Sequence, residues 1–280
     1  TRNLIEAQFD RLNIDYTFTD DIDLKFFKSA IKKNTKVIYI ETPSNPLLKI
    51  LDIEKIAQFA KSNDIITIID NTFATPIIQK PILFGVDVVL HSATKYFGGH
   101  SDISAGAVAA SQAHIDKIWN LAKNLGGNLS DYSVWLLERS MKTLSIRVKA
   151  QQKNAKKLAK YLSESRYVKK VYYPGLKNHP NHNLAKKQMK GYGAMISFEF
   201  IDKIDPSLFL TSLNLIKPSM SLAGVESTML SPAETSHYLL TENERLSQGI
   251  TNELIRFSVG IENKKDIIMD IEHAIKLSIK

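Results

Sequence analysis

Ile65-Ile-Thr-Ile-Ile-Asp70 and Asp87-Val-Val-Leu-His-Ser-Ala-Thr-Lys95 are two apolar runs that each stop abruptly at polar groups. They read as buried strands whose C-terminal tips carry a carboxylate and a lysine. Upstream, Val37-Ile-Tyr-Ile-Glu41 has the same texture and is stopped by Thr-Pro-Ser-Asn-Pro, since proline lacks an amide donor and restrains its predecessor. Between the first two strands, Ile53, Ile56, Ala57 and Ala60 recur at the spacing of an amphipathic helix that Asp52 can cap. Strand, helix and strand make a βαβ crossover, which implies parallel strands with helices on the sheet faces. Open sheets of this kind bind ligands at the rim where their strands end. Asp70 and Lys95 stand at that rim.

Working outward, residues 1–14 read as the end of a helix and Tyr16-Thr-Phe-Thr19 as a short strand, with Asp20 or Asp21 as the cap of a helix over residues 24–31. A third strand is expected at 86–91. Gly98-Gly99 makes a turn, residues 104–110 form a strand, and a long helix near 131–144 connects to the second half of the chain. Beyond about residue 142 the texture changes to basic helices alternating with strands at 168–173 and 194–200. At 280 residues the chain exceeds the about 100 to 150 residues of a typical domain. Two domains are therefore expected, 1–141 and a smaller α+β unit at 142–280.

Composition narrows the classes. Hydrophobic content of 44% with 24% charged residues is ordinary for a soluble protein. No apolar stretch reaches the ~20 residues of a membrane span. The opening Thr1-Arg-Asn-Leu-Ile-Glu6 lacks the features of a secretory signal, so a cytoplasmic protein is the expectation. The absence of cysteine removes disulfides, thiolate nucleophiles and cysteine-held metals. A net charge of +8 raises the question of nucleic acid. The densest basic segment, 147–170, carries Leu158, Tyr161 and Leu162 at helical spacing, however, and reads as a helix with one solvated face. No nucleic-acid or membrane partner is expected. His91, His100, His179 and His182 show no ligand spacing such as HExxH, so no metal is expected either.

The chemistry converges on Lys95. An amine beside the hydroxyls of Ser92 and Thr94, and opposite the carboxylate of Asp70, suits a Schiff base with pyridoxal 5'-phosphate, whose pyridinium nitrogen needs an acidic partner. Arg256, in the apolar segment 254–259, would be costly to bury without an anion.

Glu41-Thr-Pro-Ser-Asn-Pro46, Asp70-Asn-Thr-Phe-Ala-Thr-Pro76, Ser92-Ala-Thr-Lys-Tyr96 with Gly99-His-Ser-Asp102, Tyr173-Pro-Gly-Leu176, Gly224-Val-Glu-Ser227 and Ile255-Arg-Phe-Ser-Val-Gly-Ile-Glu262 together resemble the cystathionine and methionine metabolism family of pyridoxal-phosphate enzymes. The blocks run in family order along essentially the whole chain. The resemblance implies an α/β fold of the aspartate-aminotransferase type (fold type I), with a mainly parallel sheet, helices on both faces and a smaller C-terminal α+β domain.

It also implies roles. Lys95 would hold the cofactor and then shuttle protons, Ser92 and Thr94 would bind its phosphate, and Asp70 would pair with the ring nitrogen. Asn45 would lie near the cofactor's 3′ oxygen and the substrate carboxylate, and Arg256 would clamp the substrate α-carboxylate. Ser221 and Glu226 fall in a loop that lines the substrate side-chain end, where the family more often has glycine at the position of Ala223. The family assembles as homotetramers of dimers that share active sites.

The opening Thr-Arg-Asn-Leu-Ile is similar to an internal family segment, so an N-terminally truncated member, inactive alone, is expected. The expected activity is cleavage of the C–S bond of cystathionine or a related sulfur amino acid by β- or γ-elimination. Cystathionine γ-synthase and methionine γ-lyase chemistry stand as alternatives. Ser92-Ala-Thr-Lys95 also satisfies the S-x-x-K pattern of serine acylases, but that reading needs Ser-Asp-Asn and Lys-Thr-Gly companions, and the chain offers Ser101-Asp-Ile and Lys142-Thr-Leu. A fold kept only for assembly would have lost Asp70, Lys95 and Arg256, yet all three are present.

Overall fold

The computed structural model describes residues 1–280 apart from 20, 236, 237 and 239. After α1 (Arg2–Gln8) and α2 (Leu24–Ala30) the crossover forms as expected: β1 (Val37–Glu41), α3 (Ile53–Ser62) and β2 (Ile66–Asp70). Asp52 caps α3 by accepting the Lys55 amide at 3.1 Å. Ile53, Ile56, Ala57 and Ala60 turn inward onto Ile38, Ile40, Ile69 and Val89 of the sheet. Full burial of Ile53 or Ile56 contributes about 1.5–3 kcal/mol each.

The short α4 (Thr75–Ile78) precedes β3 (Val88–Ser92) and β4 (Gly106–Ala110), and the sheet order is β1-β2-β3-β4. The first three strands are parallel and β4 is antiparallel to β3. Parallel pairing brings the C-terminal ends of β1, β2 and β3 to one edge, with Glu41 directly opposite Asp70.

Three local expectations are corrected. Residues 16–19 are not a strand; Tyr16 stacks edge-on with Phe9 and Phe18, at centroid distances of 6.2 and 5.4 Å, and no neighbouring strand among the described residues offers a ladder. The cap of α2 is Asp23, which accepts the Lys25 amide, while Asp21 accepts the amide of Ile22 and the Lys49 amine. Asp20 lies outside the described residues. The third strand begins at Val88 because the Asp87 carboxylate takes the Thr67 amide at 2.8 Å and its hydroxyl at 2.7 Å, in place of a ladder bond.

A helix without a clear sequence signal, α5 (Gln112–Leu125), succeeds β4. The long connector is two helices, α6 (Asp131–Met141) and α7 (Leu144–Glu164). They break at Lys142-Thr143 because the Ser140 carbonyl is taken by the Thr143 hydroxyl at 3.1 Å and the Arg147 guanidinium at 2.9 Å.

The remaining elements are β5 (Val168–Tyr172), α8 (His182–Gln188), β6 (Met195–Phe200), α9 (Pro206–Thr211), β7 (Lys217–Pro218), β8 (Thr228–Leu230), α10 (Glu242–Ser247), β9 (Leu254–Ser258) and α11 (Lys264–Leu277). The five strands order β5-β6-β9-β8-β7, antiparallel except at β7–β8. The central β6 and β9 are buried at every position. The core around them, with Phe198, Phe257 and the inner side of α7, is continuous with Ala93, Tyr96 and Phe97 beside Lys95. No helix among the described residues is long and apolar enough to cross a membrane.

Candidate active site

Strand alternation puts Asp70 and Ser92 on one face of the sheet and His91 on the other. The chain turns tightly after Ser92: the Lys95 amide donates to Ser92 O at 3.0 Å, Gly98 N to Ala93 O at 2.8 Å and Gly99 N to Lys95 O at 2.7 Å. These bonds leave the Lys95 side chain at the strand-end rim. Asp70 anchors the neighbouring turn by accepting the Thr72 amide at 2.9 Å, and the Thr72 hydroxyl accepts the Ser92 amide at 2.8 Å. Thr72 thus ties the acid's turn to the lysine's strand, a link with no sequence signal beyond adjacency.

Burial, and secondarily the guanidinium of Arg256, lowers the pKa of the Lys95 amine. An amine so placed is a better nucleophile near neutral pH than a surface lysine. That influence links Lys95, in the turn after β3, with Arg256, in β9 of the other sheet. Arg256 sits in the middle of β9, opposite Ser197 and Leu230. It is 4% exposed, and burial pulls its pKa down to about 10. Its side chain's one hydrogen bond among the described residues runs from Nη2 to Met220 O at 2.9 Å, and it makes no ion pair there. A buried guanidinium without a carboxylate is costly unless an anion reaches it.

The other expected residues divide. Ser92 Oγ, Lys95 Nζ and the exposed Asn45 side chain make no hydrogen bond among the described residues and face no internal competitor. Asn45 is placed by its own amide, which donates to Glu41 Oε1 at 2.9 Å. Thr94 differs: its hydroxyl donates to Ala105 O at 3.2 Å and accepts the Ala105 amide at 2.9 Å, which binds the lysine turn to the start of β4. Ser221 and Glu226 meet Ser101 of the Gly99-His-Ser-Asp loop. His91 stacks on Phe97 at 4.7 Å, and burial lowers its pKa to about 4, which favours the neutral imidazole. No group of three or more metal-ligating side chains occurs among the described residues. Lys142, the lysine of the acylase reading, pairs with Glu138 on α6.

Sequence reasoning missed two charged residues. Glu41 lies beside Asp70, and burial followed by that neighbour's charge pushes its pKa up to about 7. Arg147, 5% exposed, donates to Tyr96 O at 2.7 Å, Phe97 O at 3.1 Å and Ser140 O at 2.9 Å, gripping the lysine turn from below. It is the exception in a basic segment that reads as a solvated face. Its position beside Leu144, Val148 and Gln151 on the inner stripe of α7 was the available signal.

A depressed amine, a carboxylate one strand away on the same side, and a hydroxyl and an amide that are free among the described residues fit an aldehyde-bearing pyridine phosphate, and Arg256, without an ion pair among those residues, fits an amino-acid carboxylate beside it.

Comparison with known proteins agrees. The chain is 45% identical over 277 residues to a cystathionine beta-lyase of Lactococcus lactis subsp. cremoris (strain MG1363), spanning 99% of this chain and 73% of that protein. It is 43% identical over 277 residues to a cystathionine gamma-lyase of Bacillus subtilis (strain 168), with 99% and 73% coverage. The crystal structure of cystathionine gamma-lyase from Lactobacillus plantarum complexed with L-serine superposes with a TM-score of 0.96 at 43% identity, covering 99% of this chain and 73% of that one. The profile described as Cys/Met metabolism PLP-dependent enzyme matches residues 1–276, and the chain belongs to that family.

Proposed function

We propose that the full-length protein binds pyridoxal 5'-phosphate at Lys95 and cleaves the C–S bond of cystathionine or a related sulfur amino acid by β- or γ-elimination. The observation that carries this is the buried Arg256 guanidinium, which makes no ion pair among the described residues, near a Lys95 amine whose pKa burial, and secondarily the Arg256 charge, lowers. When bound, the cofactor supplies an electron sink that acidifies the substrate α-carbon.

The protein's own groups do the rest. Asp70 would pair its carboxylate with the pyridine nitrogen, which needs an acidic partner. Ser92 would donate its hydroxyl to the phosphate, and Thr94 would do so only by turning its one O–H away from Ala105 O while still accepting the Ala105 amide. Arg256 keeps its bond to Met220 O and directs its remaining donors at the α-carboxylate, with the Asn45 amide as a further donor. Lys95, once freed, takes the proton from the α-carbon and carries it within the site.

The test uses the full-length protein loaded with cofactor and given cystathionine. Pyruvate with homocysteine identifies β-elimination, and 2-oxobutyrate with cysteine identifies γ-elimination. Cystathionine formed from an acylated homoserine and cysteine would instead mean γ-replacement. Lys95→Ala is expected to abolish both the visible band of the lysine-bound cofactor and turnover. Wild-type turnover in that variant would overturn the assignment.

A further inference from the structure

Glu226 lies in the loop between β7 and β8, on the side where a substrate side chain would lie, yet its carboxylate is already engaged. Oε1 accepts the Ser101 hydroxyl at 2.5 Å. The side chain folds back over Gly224 so closely that a Cβ there would collide with Oε1. Ser101 is six residues beyond Lys95 and holds φ at 59°, a left-handed conformation that a non-glycine residue keeps only where its surroundings over-determine it. Its Oγ also lies 3.3 Å from Ser221 Oγ, so three side chains from two distant loops share one network.

A second tie joins the same loops, from the Val225 amide to Gly99 O at 2.9 Å. On its far side the Ser221 segment is fixed to the Arg256 strand region. Arg256 donates to Met220 O at 2.9 Å, the Thr228 hydroxyl to Ser221 O at 2.9 Å, and the Ala223 amide to Ser258 Oγ at 2.7 Å. The backbone of this loop is therefore held from the Arg256 side. Its side-chain link to the lysine loop runs through Ser101, and the carboxylate–hydroxyl bond there is charge-assisted and of the stronger class.

We propose that Glu226 is a positioning residue: through Ser101 it orients the Ser221 hydroxyl and sets the loop after Lys95 against the loop held by Arg256. The reactive amine and the carboxylate-binding cation then keep a fixed separation. This rests on reading Lys95 and Arg256 as the two poles of the substrate site. This role is distinct from a direct contact between Glu226 and substrate, since it runs through the carboxylate oxygen that accepts the Ser101 hydroxyl.

The experiment compares Glu226→Ala, Glu226→Gln, Ser101→Ala and the Glu226→Ala/Ser101→Ala double variant in the full-length, cofactor-loaded protein. Each alanine variant is expected to keep the cofactor's visible band and to raise KM for the amino acid roughly tenfold, with kcat changed far less. The double variant should be no worse than either single one, because both remove the same bond. Glu226→Gln, whose amide oxygen still accepts the Ser101 hydroxyl, should restore most of the affinity. Additive losses, or a Glu226→Gln variant as impaired as Glu226→Ala beside an unimpaired Ser101→Ala, would make Glu226 a substrate contact and overturn the proposal.

Hydrogen exchange provides a readout that needs no turnover. Glu226→Ala should speed exchange of amides 99–102, and Ser101→Ala those of 221–227. If neither variant affects the other loop, the link does not exist. A wild-type protein without band or turnover would defeat the functional reading alone, and the exchange data would still decide this one.

Discussion

Ala223 stands at φ 69° with its side chain fully buried in the larger core. Where the family more often has glycine, this chain accepts left-handed strain of about 1–2 kcal/mol. The backbone path expected for glycine is kept because the Ala223 amide is fixed to Ser258 Oγ and the neighbouring Gly224 carbonyl to Gln151 at 2.7 Å. Ala223→Gly relieves that strain but loses a buried methyl worth about 0.8 kcal/mol and frees the unfolded chain. Its unfolding free energy is accordingly expected within about 1 kcal/mol of wild type by urea titration. Ala223→Val adds a branched side chain where φ is positive and the surroundings are packed, and should cost about 3 kcal/mol or more. Equal stability of the valine variant would show that the loop does not hold this conformation in solution.

At the scale of elements, α7 is the member that joins the two sheets. Its inner stripe runs from Leu144 through Val148 and Ala155 to Leu162, and the polar members of that stripe do the joining. Gln151 donates to Gly224 O at 2.7 Å and Val259 O at 3.2 Å, while Arg147 holds the turn that carries Lys95. Burial pulls the Arg147 pKa down, but hydrogen bonds to three fixed carbonyls and to the Thr143 hydroxyl keep the guanidinium charged. Gly99 must lack a side chain, since a Cβ there would run into the Arg147 guanidinium. Arg147→Met leaves carbonyls of the lysine turn unsatisfied and should lower stability by about 2–4 kcal/mol. Arg147→Lys should recover little, because an ammonium cannot span the same carbonyls. Urea unfolding checks both, and a loss under about 1 kcal/mol for the methionine variant would mean that the turn holds without its clamp.

For the whole molecule, buried titrating groups set how stability follows pH. Burial lowers His91 and His179 from 6.5 to about 4, so their unfolded forms take up protons first. Their contribution is complete above the unfolded value and is lost as pH falls through the folded one. Glu41 works in the opposite sense: raised from 4.5 to about 7, it contributes stability that is complete below pH 4.5 and is lost as pH rises through 7. Between these limits two rising slopes meet one falling slope. The protein should gain stability from about pH 4.5 to about 6.5, and Glu41→Gln should steepen that gain by about 1 kcal/mol per pH unit. Urea midpoints across this range test it, and an unchanged slope would show that Glu41 ionises as an ordinary carboxylate.

The sequence by itself determined the crossover, its Asp52 cap and the residues that stand where the strands end, because those depend on local periodicity and on where apolar runs stop. Asp52, Asp70, Ser92 and Lys95 were legible since each lies within a few residues of the signal that marks it. Where a residue's role depends on a distant partner, local pattern was silent. Arg147 looks like any basic helix residue until the fold sets it under Tyr96 and Phe97. Thr94 looks like a free hydroxyl until Ala105 folds back onto it. Glu41 acquires its raised pKa only when parallel pairing sets it against Asp70. Glu226 and Ser101, 125 positions apart, become one hydrogen bond only in the folded chain. Desolvation and long-range hydrogen bonding arise from the packing of distant segments, and tertiary structure alone decides them.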